Sequence, residues 1–152
     1  MQHDRMFLRY DVPVHLRKEQ ILSYEENGYL VLDNLLDATE IKTLHNALPE
    51  IKSRSGPEVI REQDGGSARL VFGTHLYSEP FRRLSLLPRL LAPVKQLLND
   101  EVYLHQSRLN PKEGFGSGAK WDWHQDYSAW QRVDGMRRPD CIMTSVFLDN
   151  CT

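Results

Sequence analysis

No run of apolar residues in this chain is long enough to cross a bilayer, and the opening Met1-Gln2-His3-Asp4-Arg5-Met6 carries an acid and no apolar leader core. A cytoplasmic setting is therefore expected. Excess charge is lacking too. The 19 Lys and Arg against 21 Asp and Glu leave a formal net charge of −2, with the basic residues dispersed. Neither nucleic acid nor an anionic membrane has an electrostatic footprint to meet, and a small molecule is the expected partner. Cysteine is scarce. Cys141 and Cys151 stand at the two ends of one apparent strand, which if extended holds them roughly 30 Å apart, beyond disulfide reach. Both are read as reduced, structural thiols. Internal repeats and low-complexity tracts are absent. The run Gly114-Phe115-Gly116-Ser117-Gly118 lacks the Gly-Lys-Ser/Thr ending of a phosphate cradle, so it reads as a connection.

What is present is an ordinary composition for one domain with a sizeable core: 152 residues, 40% hydrophobic and 26% charged. After an arm of fifteen or so residues, the spacing predicts a helix over 16–27, stopped by Asn27-Gly28, with Gly28 placed for a left-handed C-terminal turn. A strand is expected at 29–32. Asp37-Ala38-Thr39-Glu40 is an acidic variant of the capping box and opens a helix with the stripe Ile41, Leu44, Leu48 and Ile51. The polar, glycine-bearing stretch 53–67 reads as a loop leading to a strand at 68–72. In the leucine-rich 79–98, Pro88 and Pro93 are expected to divide the chain into short helices, each proline in a first turn.

Segment 101–110 alternates as a strand, with Val102 and Leu104 on one face. Gln106 and Arg108 share that face, and polar groups there suggest a buried site that uses them. The uncharged, β-rich 141–148 reads as a central sheet strand.

The stretch Trp121-Asp122-Trp123-His124-Gln125-Asp126-Tyr127 carries the chemistry. In an extended strand, residues i and i+2 leave the same face, so His124 and Asp126 can converge on a metal ion. An imidazole and a carboxylate are two thirds of the facial triad that leaves one side of non-haem Fe(II) open. Trp121, Trp123, Tyr127 and Trp130 are expected to give that site aromatic walls. His-x-Asp alone is a weak pattern, and a surface turn is its plainer reading.

From His105 to Asn150 the motifs His105-Gln106-Ser107-Arg108-Leu109-Asn110, Trp123-His124-Gln125-Asp126, Trp130, Asp134-Gly135-Met136 and Thr144-Ser145-Val146-Phe147-Leu148-Asp149-Asn150 follow one another in order. In these the chain resembles the phytanoyl-CoA dioxygenase family of Fe(II)/2-oxoglutarate-dependent oxygenases, in particular its ectoine hydroxylases and free L-proline hydroxylases. The resemblance implies a mainly β fold with packed helices, a double-stranded β-helix (jelly roll, cupin-like). Of this barrel the chain supplies the N-terminal part, with a helix-rich support over 1–100 and the first barrel strands over 101–152.

The resemblance also implies roles. His124 and Asp126 are catalytic and ligate Fe(II); Asn110 and Trp121 line the 2-oxoglutarate site; Gln106, Arg108 and Trp130 bind the substrate. The indole face suits a cationic nitrogen, and Arg108 suits a carboxylate or, equally, a structural ion pair. His75 and His105 are candidates for groups behind the site, with structural histidines as the plainer reading. The activity implied is hydroxylation of a small zwitterion, with O2 consumed and succinate and CO2 released. The presence of Asp126 speaks for hydroxylation, because related halogenases carry a small residue there. Ser128, Ala129 and Gln131 replace the Glu, Thr and His of the ectoine pattern, so a free amino acid such as L-proline stands beside ectoine as substrate.

The family's third iron ligand, a His, and its 2-oxoglutarate-binding Arg are expected beyond Thr152. A C-terminal half or a second copy is then the implied partner. The alternative reading is an inactive jelly-roll remnant or split-barrel subunit serving as a binding or assembly module, whose open sheet edges invite pairing. A cupin-like metalloenzyme without 2-oxoglutarate is a third reading.

Overall fold

A computed structural model describes residue 8 and residues 13–62, 65–111 and 122–150. Helix α1, Lys18–Asn27, has Arg17 as its N-cap, where Gln20 Oε1 accepts from the Arg17 backbone N–H at 3.0 Å. It ends on Gly28 at φ 77°, ψ 4°, the left-handed turn that the Asn-Gly pair predicts. Leu16, just before it, is buried and held by Gln96, whose amide both accepts from the Leu16 N–H (2.7 Å) and donates to the Leu16 carbonyl (2.9 Å).

Helix α2, Ala38–Lys52, starts on the expected box. Asp37 Oδ1 accepts from the N–H groups of Thr39 and Glu40, and Glu40 Oε2 accepts from that of Asp37. Its stripe faces inward, with Leu44 and Ile51 fully buried and Leu48 half-buried.

Strands β1, Val59–Arg61, and β2, Ala68–Phe72, form an antiparallel hairpin. β1 lies inside the stretch expected to be loop; three residues are too few for alternation to stand out. Helix α3, Thr74–Tyr77, and helix α4, Glu79–Leu84, follow, and helix α5 spans Pro88–Leu98. Pro88 opens α5 as expected, but Pro93 lies inside it instead of starting another helix. Pro93 is buried there and donates no backbone hydrogen bond to the helix.

Strand β3, Arg108–Leu109, completes the sheet in the order β1-β2-β3, with Val71 opposite Leu109 and Phe72 opposite Arg108. Leu70 and Val71 point to opposite faces and both are buried, so β2 is covered on both sides. Leu44, Ile51, Val71, Phe81 and Leu87 build the core between α2, the sheet and the α4–α5 region. Helix α6, Asp126–Val133, comes last.

Among the described residues two expected strands are absent and a third is reduced to two residues. Residues 29–32 alternate in exposure, with Tyr29 and Val31 exposed, but pair with nothing in the sheet. In 101–110 only Arg108–Leu109 pairs, and 141–148 joins no ladder. A strand is a property of a pair, and alternation alone supplies no neighbour's N–H and C=O. Segment 141–148 is attached differently: His45 Nε2 lies 2.7 Å from the Leu148 carbonyl, and Leu148 packs on the core. Helix accordingly exceeds strand among the described residues, against the mainly β expectation. No described helix is long and apolar enough to cross a membrane.

Candidate active site

His124 and Asp126 do converge, though not on a strand. Asp126 is the first residue of α6, and Gln125 before it is extended at φ −112°, ψ 124°. One extended residue between the two is enough to send both side chains the same way. His124 Nε2 stands 3.2 Å from Asp126 Oδ1. On its other side, His124 Nδ1 lies 2.6 Å from the carbonyl oxygen of Asp122. A carbonyl only accepts, so Nδ1 carries the hydrogen and donates. Nε2 then faces a carboxylate oxygen, a pairing of two donors that one metal ion could share.

Asp126 is 17% exposed at its side chain and His124 50%, so the carboxylate is the sheltered partner. It sits at the positive end of the α6 dipole, which favours its charge. Its other oxygen is taken as well: Arg108 Nη2 donates to Asp126 Oδ2 at 3.0 Å. Arg108, expected to meet either a substrate carboxylate or a structural ion-pair partner, thus pairs with the carboxylate of the His-x-Asp motif. The same Nη2 is 3.7 Å from Met143 Sδ, which brings segment 141–148 against the site. Cys141 is nearby. Burial first, then the charges of Asp126 and Asp140, push its thiol above the ordinary range, which disfavours the thiolate a metal would need.

The other expected residues are scattered. Trp130 on α6 is half-buried, its ring 5.2 Å from that of His105 at 72°. Gln106 and Asn110 are exposed, so the buried polar face expected of 101–110 is not formed. Trp123 is fully exposed at 105% and builds no wall. Tyr127 turns its hydroxyl to the Arg137 carbonyl at 3.2 Å. Trp121 and Cys151 lie outside the described residues. His75 is bound to Ser107, Nδ1 to Oγ 2.6 Å, and so braces the residue before Arg108. Among the described residues no three His, Cys, Asp or Glu side chains gather as a metal site. A cleft of about 570 Å³ lies elsewhere, against Arg17, Val31, Asp33 and Arg89.

Asp134 was given no role by sequence. It ends α6, and its Oδ2 stands 3.3 Å from His105 Nε2. The signal was the acid directly before Gly135, which takes a positive φ of 71° and turns the chain out of the helix.

The chain belongs to the phytanoyl-CoA dioxygenase family, whose model matches residues 24–152. It is similar to L-proline trans-4-hydroxylase of Streptomyces griseoviridis, 35% identical over 129 residues, which cover 85% of this chain and 48% of that protein. It is also similar to ectoine dioxygenase of Sphingopyxis alaskensis, 34% identical over 142 residues, covering 91% and 45%. Among solved structures, EctD from S. alaskensis with 2-oxoglutarate and 5-hydroxyectoine superposes with a TM-score of 0.76 at 30% identity, covering 90% of this chain and 50% of that one. The same protein with bound Fe gives 0.71 at 29%, covering 85% and 47%. The chain spans about half the length of the relatives it matches.

Proposed function

We propose that this chain is the metal-binding part of an Fe(II)/2-oxoglutarate-dependent hydroxylase of the jelly-roll type, acting on a small zwitterion such as a free amino acid of the proline kind or an ectoine-like compound. The observation that carries it is the 3.2 Å approach of His124 Nε2 to Asp126 Oδ1. Two donors each about 2.1 Å from one first-row metal ion, at right angles, stand about 3 Å apart. The donor set therefore fits such an ion, with His124 and Asp126 as two of its ligands. The match to the proline and ectoine enzymes supports the substrate class.

Fe(II) with 2-oxoglutarate and O2, when bound, supplies the oxidising power for hydroxylating a C–H bond. The chain's own residues do the rest. Asp122 holds His124 in the tautomer that aims the Nε2 lone pair at the metal position. By the family resemblance, Asn110 and Trp121 would serve the 2-oxoglutarate side, where an Asn amide can donate to a carboxylate. Trp130 offers its indole to the cationic nitrogen of the substrate and Gln106 orients the substrate's polar end.

The test is substrate-dependent conversion of 2-oxoglutarate to succinate by the complete protein, with L-proline and ectoine as probes. His124→Ala is expected to abolish it. Undiminished turnover in that variant would overturn the proposal. A wild-type protein that binds neither Fe(II) nor 2-oxoglutarate would favour a binding or assembly module instead.

A further inference from the structure

Arg108 reaches Asp126 from a separate element, and its own backbone is fixed before it does so. Arg108 pairs with Phe72 across the β2–β3 ladder, and the Gly73 N–H donates to the Ser107 carbonyl at 2.8 Å. From that anchored position its Nη2 donates to Asp126 Oδ2 at 3.0 Å, while Asp126 Oδ1 is turned to His124. The two oxygens of one carboxylate are thereby assigned different partners. An unpinned carboxylate rotates about its last torsion and can chelate a metal through both oxygens. A pinned one presents a single oxygen. The pair is partly sheltered, with side-chain exposures of 30% for Arg108 and 17% for Asp126, so solvent screens it only in part.

We infer that Arg108 is a positioning residue that makes Asp126 a one-oxygen ligand. Its guanidinium occupies Oδ2, which keeps a coordination position open that two-oxygen chelation would fill. The open position is what a co-substrate and O2 require. This inference rests on the proposed iron site and reassigns Arg108 from the substrate to the ligand.

The experiment compares wild type with Arg108→Met and Arg108→Lys in the complete protein, without oxygen. Fe(II) affinity is measured by titration, and Co(II) serves as a visible-absorption probe of coordination. Loss of a group that holds a metal ligand costs about 10- to 100-fold in metal affinity. R108M is expected to weaken Fe(II) binding by that order and to change the Co(II) spectrum. R108K, which keeps the charge without the planar fork, is expected to fall between. The KM for the zwitterion at saturating metal should stay within about twofold.

Unchanged Fe(II) affinity and Co(II) spectrum in R108M overturn the inference, and a raised KM alongside them places Arg108 on the substrate. Should R108M lose its cooperative melting transition, a wild-type Co(II) spectrum and affinity in R108K overturn it instead. A wild-type protein that binds no Fe(II) sinks the proposed function itself, which distinguishes that failure from this one.

Discussion

His105 Nε2 lies 3.3 Å from Asp134 Oδ2, and this contact ties the segment leading into β3 to the residue that ends α6. The Asp134 N–H in turn donates to the Trp130 carbonyl at 2.9 Å, and the His105 ring meets the Trp130 indole edge-on. With Arg108 on Asp126, helix α6 is therefore held at both ends by residues three apart on one short segment. A helix fixed at both ends keeps the His-x-Asp motif and Trp130 in one register.

Replacing His105 by Phe keeps the ring and removes the link at the C-terminal end of α6. The pair is partly exposed, at 28% and 42%, so its loss is worth about 1 kcal/mol or less and the fold should persist. The expected outcome is a substrate KM raised up to about fivefold, the equivalent of that energy, with Fe(II) affinity unchanged. Steady-state kinetics beside metal titration checks it; a lost Fe(II) affinity with an unmoved KM would contradict it.

Glu40 and Arg89 form an ion pair in the interior, with residue exposures of 2% and 5%. Glu40 also closes the N-terminal box of α2, so one carboxylate serves both the helix start and the contact with α5. Arg89→Met removes the guanidinium from this buried pair, and breaking a buried ion pair costs about 3–5 kcal/mol. Urea denaturation should show a loss of that order. A loss below about 1 kcal/mol would show that Arg89 does not balance Glu40.

Gly28 closes α1 at φ 77°, and its N–H donates to the Tyr24 carbonyl at 2.8 Å. No atom lies within 4 Å of where a Cβ would stand, so Gly28→Ala meets only the backbone penalty. That penalty is about 1 kcal/mol, and Gly28→Asn should lose less. Thermal melting of the two variants against wild type is the measurement. Equal melting temperatures for G28A and wild type would refute the assignment.

Acid should weaken the fold through two glutamates. Glu58 accepts from its own backbone N–H and then from Arg54, which together hold its carboxyl below the usual range. Glu79 is lowered by Arg83 and then Arg82. A depressed folded-state value means that the contribution is present above the unfolded carboxylate value, about 4.3, and is lost as pH falls through the lower folded value. Melting temperature should therefore drop below about pH 4.5. Arg54→Met should flatten that drop, since Glu58 then keeps only its backbone bond. An identical pH profile in R54M would remove Arg54 as a cause.

Much of the support was legible along the chain. The Asp37–Glu40 box, the Gly28 stop, the Leu44–Ile51 stripe and β2 at Ala68–Phe72 are local, because caps and periodicity act within a few residues. The strands expected at 29–32 and 141–148 did not form a ladder, because strand-prone composition names no partner. Helix α6 went unseen because Gln125 offers no side-chain cap and the aromatics around it suit a strand equally well.

The sequence by itself determined which donors exist and that His124 and Asp126 can face one point, since one extended residue separates them. Only the tertiary structure decided which oxygen of Asp126 faces the histidine. That choice belongs to Arg108, eighteen residues away on β3, and no local rule links the two. A carboxylate's orientation is set by whatever hydrogen-bonds its second oxygen, and here that group arrives through the sheet.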